Sequence, residues 1–163
     1  MGWTPAQIGT AWSEISPTPA SLNAGLAQVQ AYVVTLTNQP VSWHSVKLIA
    51  RTSTTGDWGR VLARSDQTPA LPPTTSVDAA ILAAKNAVSM QDTDMVDPTN
   101  TTHWDAFQAG LSTLEASGDL SSATVAAINA LTSVTTTPLA GVQLYDLQGA
   151  QAAGFIPSTV PVA

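Results

Sequence analysis

The sequence predicts an all-α fold, an orthogonal array of short helices joined by extended Thr/Pro-rich connectors, with room for one minor strand element. Three observations predict it. Helix-start signals recur along the chain, as a capping box or as an N-cap residue with an apolar staple. Between these starts the apolar residues mostly repeat at helical spacing. Stretches rich in Thr and Pro then separate the periodic segments, and proline removes a backbone donor that a helix or central strand needs.

The first helix is predicted from Thr4-Pro5-Ala6-Gln7, a capping box with proline at the first helical position. Trp3 is placed to staple onto Ile8, and Ile8, Ala11, Trp12 and Ile15 share one face before Pro17 and Pro19 end the helix. Residues 20–40 are ambiguous. Val29, Ala31 and Val33 alternate with Gln28, Gln30 and Tyr32, which predicts an extended or strand segment over 28–37, although 24–34 also fits a helix. Ser42 is an expected N-cap, with Val41 stapled to Val46, for a helix to about Arg51 that buries Trp43, Val46, Ile49 and Ala50. After a turn at residues 54–57, Asp57 is expected to cap a short helix carrying Trp58, Val61 and Leu62.

Residues 67–75 contain three prolines and are predicted to be a linker. Ser76 is expected to cap a helix with Val77, Ile81, Ala84 and Val88 inward, followed by a polar loop over 92–100. A helix from about His103 to Ser117 places Trp104, Phe107, Leu111 and Leu114 on one stripe, and Gly118 ends it. Ser121 caps the next, with Leu120 stapled to Val125, and with Val125, Ile128 and Leu131 inward. A Thr/Pro connector at 132–143 leads to a last short helix at about 144–153 that stops at Gly154. The expected organisation is one helical domain over 1–154, with a subdivision at the linker 67–75, and an extended C-terminal arm at 155–163.

Composition bounds the function. Ala, Thr and Ser supply 63 of 163 positions, and charged residues are 10% of the chain, against roughly 25% in an ordinary soluble domain. With no cysteine, disulfide frameworks, thiolate metal clusters and cysteine nucleophiles are excluded. A net charge of −6 with five cations argues against nucleic acid as a partner, because phosphate-backbone binding needs many Lys and Arg. Residues 15–46 carry no formal charge, yet Pro17, Pro19, Pro40 and several Asn and Gln interrupt them, so no membrane-spanning helix is expected. Met1-Gly-Trp-Thr-Pro has neither the basic nor the apolar region of a secretory signal.

The motifs of acyl transfer, zinc proteolysis and phosphate binding are absent. His44 and His103 each stand near a helix start without paired ligands. Asp92, Asp94, Asp97 and Asn100 offer oxygen ligands for a hard cation but lack the glycine and distal glutamate of an EF-hand loop. A solvated acidic loop is the other reading. Asp105 and Glu115 belong to a solvated helix face rather than to a facing acid/base pair. Asn100-Thr101-Thr102 matches a glycosylation sequon, but the threonine is expected to serve as a helix cap. No catalytic residue, no metal and no cofactor is therefore expected.

Two features point to partners. Lys47, Arg51, Arg60 and Arg64 form two i,i+4 pairs on consecutive helices, partly offset by Asp57 and Asp66. They form either a basic dock for an acidic partner surface or ordinary solubilising charge. The uncharged arm carries Phe155, Ile156, Val160 and Val162, which are expected to lie on another subunit unless the arm folds back on its own helices. A low-charge surface of Thr, Ser, Gln, Asn and Ala also promotes association.

Pro40-Val41-Ser42, Thr55-Gly56-Asp57-Trp58, Ala83-Ala84-Lys85-Asn86 and the run Leu111-x-x-Leu114-x-Ala116-x-Gly118-Asp119-Leu120-Ser121 lead into Ala126-Ala127-Ile128-Asn129-Ala130-Leu131. Over about residues 40–154 this pattern resembles small helical accessory structural proteins of tailed bacteriophages. The Thr-rich connectors and the longer Pro-containing tail depart from it. The resemblance transfers no catalytic residue. It implies a virion setting near the tail tip or fibres, with tail, fibre or capsid subunits as partners in a multimeric assembly. Capsid decoration, a non-virion assembly chaperone or host-protein binder, and a glycan-directed enzyme are the competing expectations. The scarcity of Glu and His counts against the last.

Overall fold

Local capping places most of the helices in the computed structural model, which describes residues 2–163. Helix α1 (Pro5–Glu14) starts from the Thr4 capping box, with Gln7 Oε1 accepting from Thr4 N at 2.7 Å. It buries Ile8, Ala11 and Trp12. Helix α2 (Leu22–Gln30) is capped by Ser21, whose hydroxyl accepts from Ala24 N at 3.1 Å. Strand β1 (Val34–Leu36) follows, then β2 (Val41–Ser42), α3 (Trp43–Thr52) and α4 (Asp57–Ser65). The chain continues through α5 (Ser76–Ser89), β3 (Met95–Val96), α6 (Thr101–Ala116) and α7 (Ser122–Ala130) to β4 (Val134–Thr136) and α8 (Leu144–Ala152). The fold is therefore largely helical, with a few short strands.

The chain divides into two units, one of Met1–Leu36 with Thr135–Ala163 and one of Thr37–Val134. The second is thus an insertion in the first, and the division does not fall at residues 67–75. β1 and β4 hydrogen-bond to one another where the chain leaves the first unit and re-enters it.

The first unit packs α1 and α2 on α8 around Ile8, Trp12, Leu22, Leu139, Leu147 and Ile156. Two glycines permit close approaches. A Cβ on Gly9 would lie 2.6 Å from Phe155 Cβ and 2.8 Å from its carbonyl oxygen, and one on Gly25 would overlap the Trp12 ring. Residues 155–163 do not form a free arm. Ile156 is buried in this core, Pro161 O accepts from Leu22 N at 2.8 Å, and Val162 O accepts from Asn23 N at 3.0 Å. The tail thereby satisfies two of the orphan N–H groups that every helix N-terminus leaves. Gln151 Nε2 donates to Pro157 O and Val160 O, both at 2.8 Å. The fold-back alternative describes this segment, because α2 needs acceptors and the core needs Ile156.

The inserted unit buries Val46, Ala50, Val61, Leu111, Leu114 and Ile128, among others, in its own core. β2 and β3 pair antiparallel, Val41 opposite Val96 and Ser42 opposite Met95. Asp94 O and Asp92 O accept from Trp43 N and His44 N, so the loop before β3 closes the start of α3.

Several local expectations are corrected. Of the segment 28–37 expected to be extended, residues 34–36 form β1, whereas 28–30 end a helix, because Leu22, Gly25 and Val29 fall on one buried face while the apparent alternation continues onto exposed Ala31 and Val33. Asp57 is the first residue of α4, not its cap. Thr75, not Ser76, caps α5, with Asp78 completing the box. Val77 consequently points outward, at 51% exposure. Asn100, rather than Thr101 or Thr102, caps α6 by accepting from His103 N. The connector 132–143 supplies β4 and two buried side chains, Leu139 and Val142.

Asp78 also gathers the linker. Its carboxylate accepts from Ala70 N at 2.9 Å and from Thr74 N and Thr75 N at 3.1 Å. The Ala70 amide, followed by Thr75 and Thr74, holds its pKa down at about 2, from an ordinary 3.8. Since the folded value is depressed, this contribution to stability is full above pH 3.8 and is lost as pH falls through about 2. Asp78→Ala is expected to accelerate amide hydrogen exchange at Thr74 and Thr75 at neutral pH. Unchanged exchange there would contradict the assignment.

Candidate functional site: an apolar cavity beside a polar clasp

The four clustered cations do not form one open patch. Lys47 is buried, with Nζ 2.5 Å from Met90 O and 3.1 Å from Asp92 Oδ1. Its ammonium, then the imidazole of His44 at 3.3 Å, lowers the Asp92 pKa. Arg60 donates to Gly118 O at 2.9 Å, to Thr55 O, and to Asp57 Oδ1 at 2.5 Å. Arg64 Nε donates to Asp119 Oδ2 at 2.8 Å, and Asp119 is itself buried. Arg51 alone of the four faces outward, its guanidinium carbon 5.4 Å from the centre of the Trp58 ring. The i,i+4 spacing placed these residues on shared faces but could not say what opposed them.

Asp57, Arg60 and Arg64 lie on one side of α4, at i, i+3 and i+7, and together they clasp the turn between α6 and α7. Asp57 is fully buried and accepts from Ser121 N at 3.0 Å and Ser121 Oγ at 2.8 Å, as well as from Thr55 Oγ1. Burial pushes the carboxyl upward, but hydrogen bonds from Thr124, Thr55 and Ser121 outweigh it and hold the group well below the carboxylate range. Thr55-Gly56-Asp57-Trp58 and Gly118-Asp119-Leu120-Ser121 are therefore the two halves of one polar clasp.

Beside the clasp, wholly within the inserted unit, lies a cavity of about 420 Å³. α5 contributes Ala83 and Ala87, α6 contributes Ala106, Phe107 and Gly110, and α3 contributes Trp43. Small residues at helical spacing on α5 and α6 leave the space between these packed helices. Met95, His103 and Ala106 are exposed and mark its mouth, while Val61, Leu114 and Ile128 form a buried floor. Trp43 meets Phe107 edge-on at 5.6 Å, and Trp104 lies 5.4 Å from Phe107.

Trp43 is 9% exposed, and its indole Nε1–H is buried without an acceptor. Trp12 Nε1 is likewise unpaired, but there the ring lies close against Gly25. Only Trp43 of the two lines the cavity. From the sequence Trp43 is expected only as a core anchor, and nothing local marks His103, Ala106 and Gly110 as its neighbours. The available signal was the run of small residues facing one another across α5 and α6.

Gly110 offers a direct check on that space. A Cβ there would meet nothing within 4 Å, and the position is inside α6. Gly110→Ala is expected to raise stability by about 0.5–1 kcal/mol through helix propensity. A loss in urea unfolding would contradict the open geometry.

The acidic loop does not converge. Asp92 turns to Lys47 and His44, Asp94 accepts from Gln91 N at 2.7 Å, and Asp97 accepts from Thr99 N at 2.8 Å and Thr99 Oγ1 at 2.7 Å. Among the described residues no three His, Asp or Glu side chains gather to hold a metal ion, and no helix is long and apolar enough to cross a membrane. Comparison with protein-family models, with curated proteins and with solved structures yields no match.

Proposed function

We propose that this chain is a non-enzymatic structural component of a bacteriophage virion, acting through protein–protein contacts at the tail tip or fibres. The observation that carries the reading is where the charge goes. Lys47, Arg60 and Arg64 are engaged with carboxylates of their own unit, and Asp78, Asp94, Asp97 and Asp146 accept from nearby backbone amides. What remains outside is a surface of small polar residues with a few exposed charges, among them Glu14, Arg51, Asp66, Lys85 and Asp105, and with exposed apolar side chains that include Leu48, Leu62, Leu71, Tyr145 and Phe155. Such a surface favours lasting association over free diffusion. The virion setting and its location rest on the resemblance, as does the expectation of tail, fibre or capsid subunits as partners.

Short helices, expected to pack orthogonally, would then present their contacts on uncharged faces. Phe155 and Val162 stay exposed and are available to a neighbour, whereas Ile156 is not. Capsid decoration shares the same chemistry and is the nearest alternative. An assembly chaperone or host-protein binder would leave before maturation. A mass-spectrometric inventory of purified particles separates these readings: the proposal expects the chain at a fixed ratio to known tail proteins. Its absence from mature particles would reject the proposal in favour of the transient roles.

A further inference from the structure

We propose that residues 91–95 form a hinged strap at the rim of the cavity, latched to α3 by Lys47, and that this strap opens as a unit while the rest of the inserted unit stays folded. This goes beyond the assembly reading and does not depend on it. The strap runs from Met90, the C-cap of α5, to Val96, which is buried and lies opposite Val41. Between these two hinges stand Gln91, Asp92, Thr93, Asp94 and Met95, none of which is buried. Segments with so little apolar burial open at the low end of the local-stability range. Met90 and Met95 both line the cavity, so lifting the strap widens its mouth.

What holds the strap down is polar. Asp94 O accepts from Trp43 N at 2.8 Å and Asp92 O accepts from His44 N at 3.1 Å, while His44 Nδ1 lies 3.3 Å from Asp92 Oδ2. Lys47 adds the charged contact. Its side chain is only 8% exposed, and withdrawing an ammonium from water is costly unless it is well paired. Here the ammonium donates to Met90 O at one hinge and to Asp92 Oδ1 within the strap. Hydrogen bonds with an ionised partner are roughly twice as strong as neutral ones, which makes Lys47 the latch. Asp92 is half exposed and returns to water readily once the strap lifts.

Native-state amide hydrogen exchange of the full chain tests the proposal, because neighbouring amides of α3 have different acceptors. Lifting the strap frees Trp43 N and His44 N, whereas Ser45 N keeps its bond to Ser42 Oγ and Ala50 stays inside the helix. Fraying of α3 would release Ser45 as well, and unfolding of the unit would release all four. The proposal expects Trp43 and His44 to share one protection factor, about tenfold or more below those of Ser45 and Ala50. Lys47→Met should lower it about tenfold further, the effect of losing a charged hydrogen bond. Asp92→Ala, at an exposed position, replaces that variant if it fails to fold, with a fall of about threefold. Ser121→Ala removes the α7 cap and should lower protection at Ala50 about fivefold. It should leave Trp43 and His44 unchanged, because the clasp stays closed when the strap lifts. Equal protection at Trp43, His44 and Ser45 in the wild-type chain would overturn the proposal. So would a folded latch variant that leaves Trp43 and His44 unmoved, or a Ser121→Ala variant that moves them as much as Ala50.

Discussion

Asp57→Ala is expected to destabilise the inserted unit by about 3 kcal/mol, the lower end of the range for breaking a buried ion pair. The lower end applies because the partner Arg60 keeps 39% of its side chain exposed and can recover water. The loss has more than one source. Ser121 N, Ser121 Oγ and Thr55 Oγ1 all donate to this carboxylate, and buried donors left unpaired carry their full desolvation penalty. Because the folded carboxyl lies below its ordinary value of 3.8, its stabilisation is full above that pH and is withdrawn only on strong acidification. Urea unfolding followed by tryptophan fluorescence checks the magnitude. A loss below about 1 kcal/mol, the size of a single ordinary hydrogen bond, would show that the clasp is not a stabilising hub.

Deleting residues 155–163 is expected to unfold the first unit rather than merely release an arm. The truncation removes Ile156, which is 1% exposed, and cutting a buried Ile to Ala alone typically costs about 2–5 kcal/mol. It also removes the acceptors for Leu22 N and Asn23 N, and it uncovers the Gly9 face of α1 against which Phe155 lies. Circular dichroism should report lost helix, and the amides of α1 and α2 should lose exchange protection. A truncated chain with unchanged helicity and melting temperature would restore the view of 155–163 as an independent anchoring arm.

Legibility in the sequence followed the range of each interaction. Thr4, Ser42 and Ser121 each accept from a backbone amide three residues on, so helix starts were readable from a few consecutive letters. Gly118 and Gly154 adopt positive φ just past α6 and α8, and a glycine in that place is an equally local sign. The last residues of α2, 28–30, read locally as a strand because polar and apolar residues alternate over 28–33, while the burial that makes them helical comes from Leu22, Gly25 and Val29. β1 and β4 each carry only three residues, and their pairing joins the two ends of the insertion. No local pattern announces such a pairing.

The candidate site was legible in its parts and not in its assembly. Asp57, Arg60 and Arg64 were visible as charges on one helix, but their partners Gly118, Asp119 and Ser121 come from a distant turn that the sequence shows only as a helix stop and a cap. Reading the cations as an open dock failed for that reason. Ala83, Ala87, Ala106 and Gly110 carry no local sign of a site in the sequence. The space they leave depends on α5 packing against α6, which is a tertiary fact.

The central claim is that this chain works by being held among other subunits through low-charge surfaces. The density around it in an intact particle, determined by electron cryomicroscopy, tests that claim most directly. The account predicts the chain in repeated copies, with neighbours seated on its small polar and exposed apolar side chains and with Lys47, Arg60 and Arg64 still engaged internally. Particles that lack the chain, or contacts dominated by salt bridges from those three cations to neighbouring subunits, would contradict it.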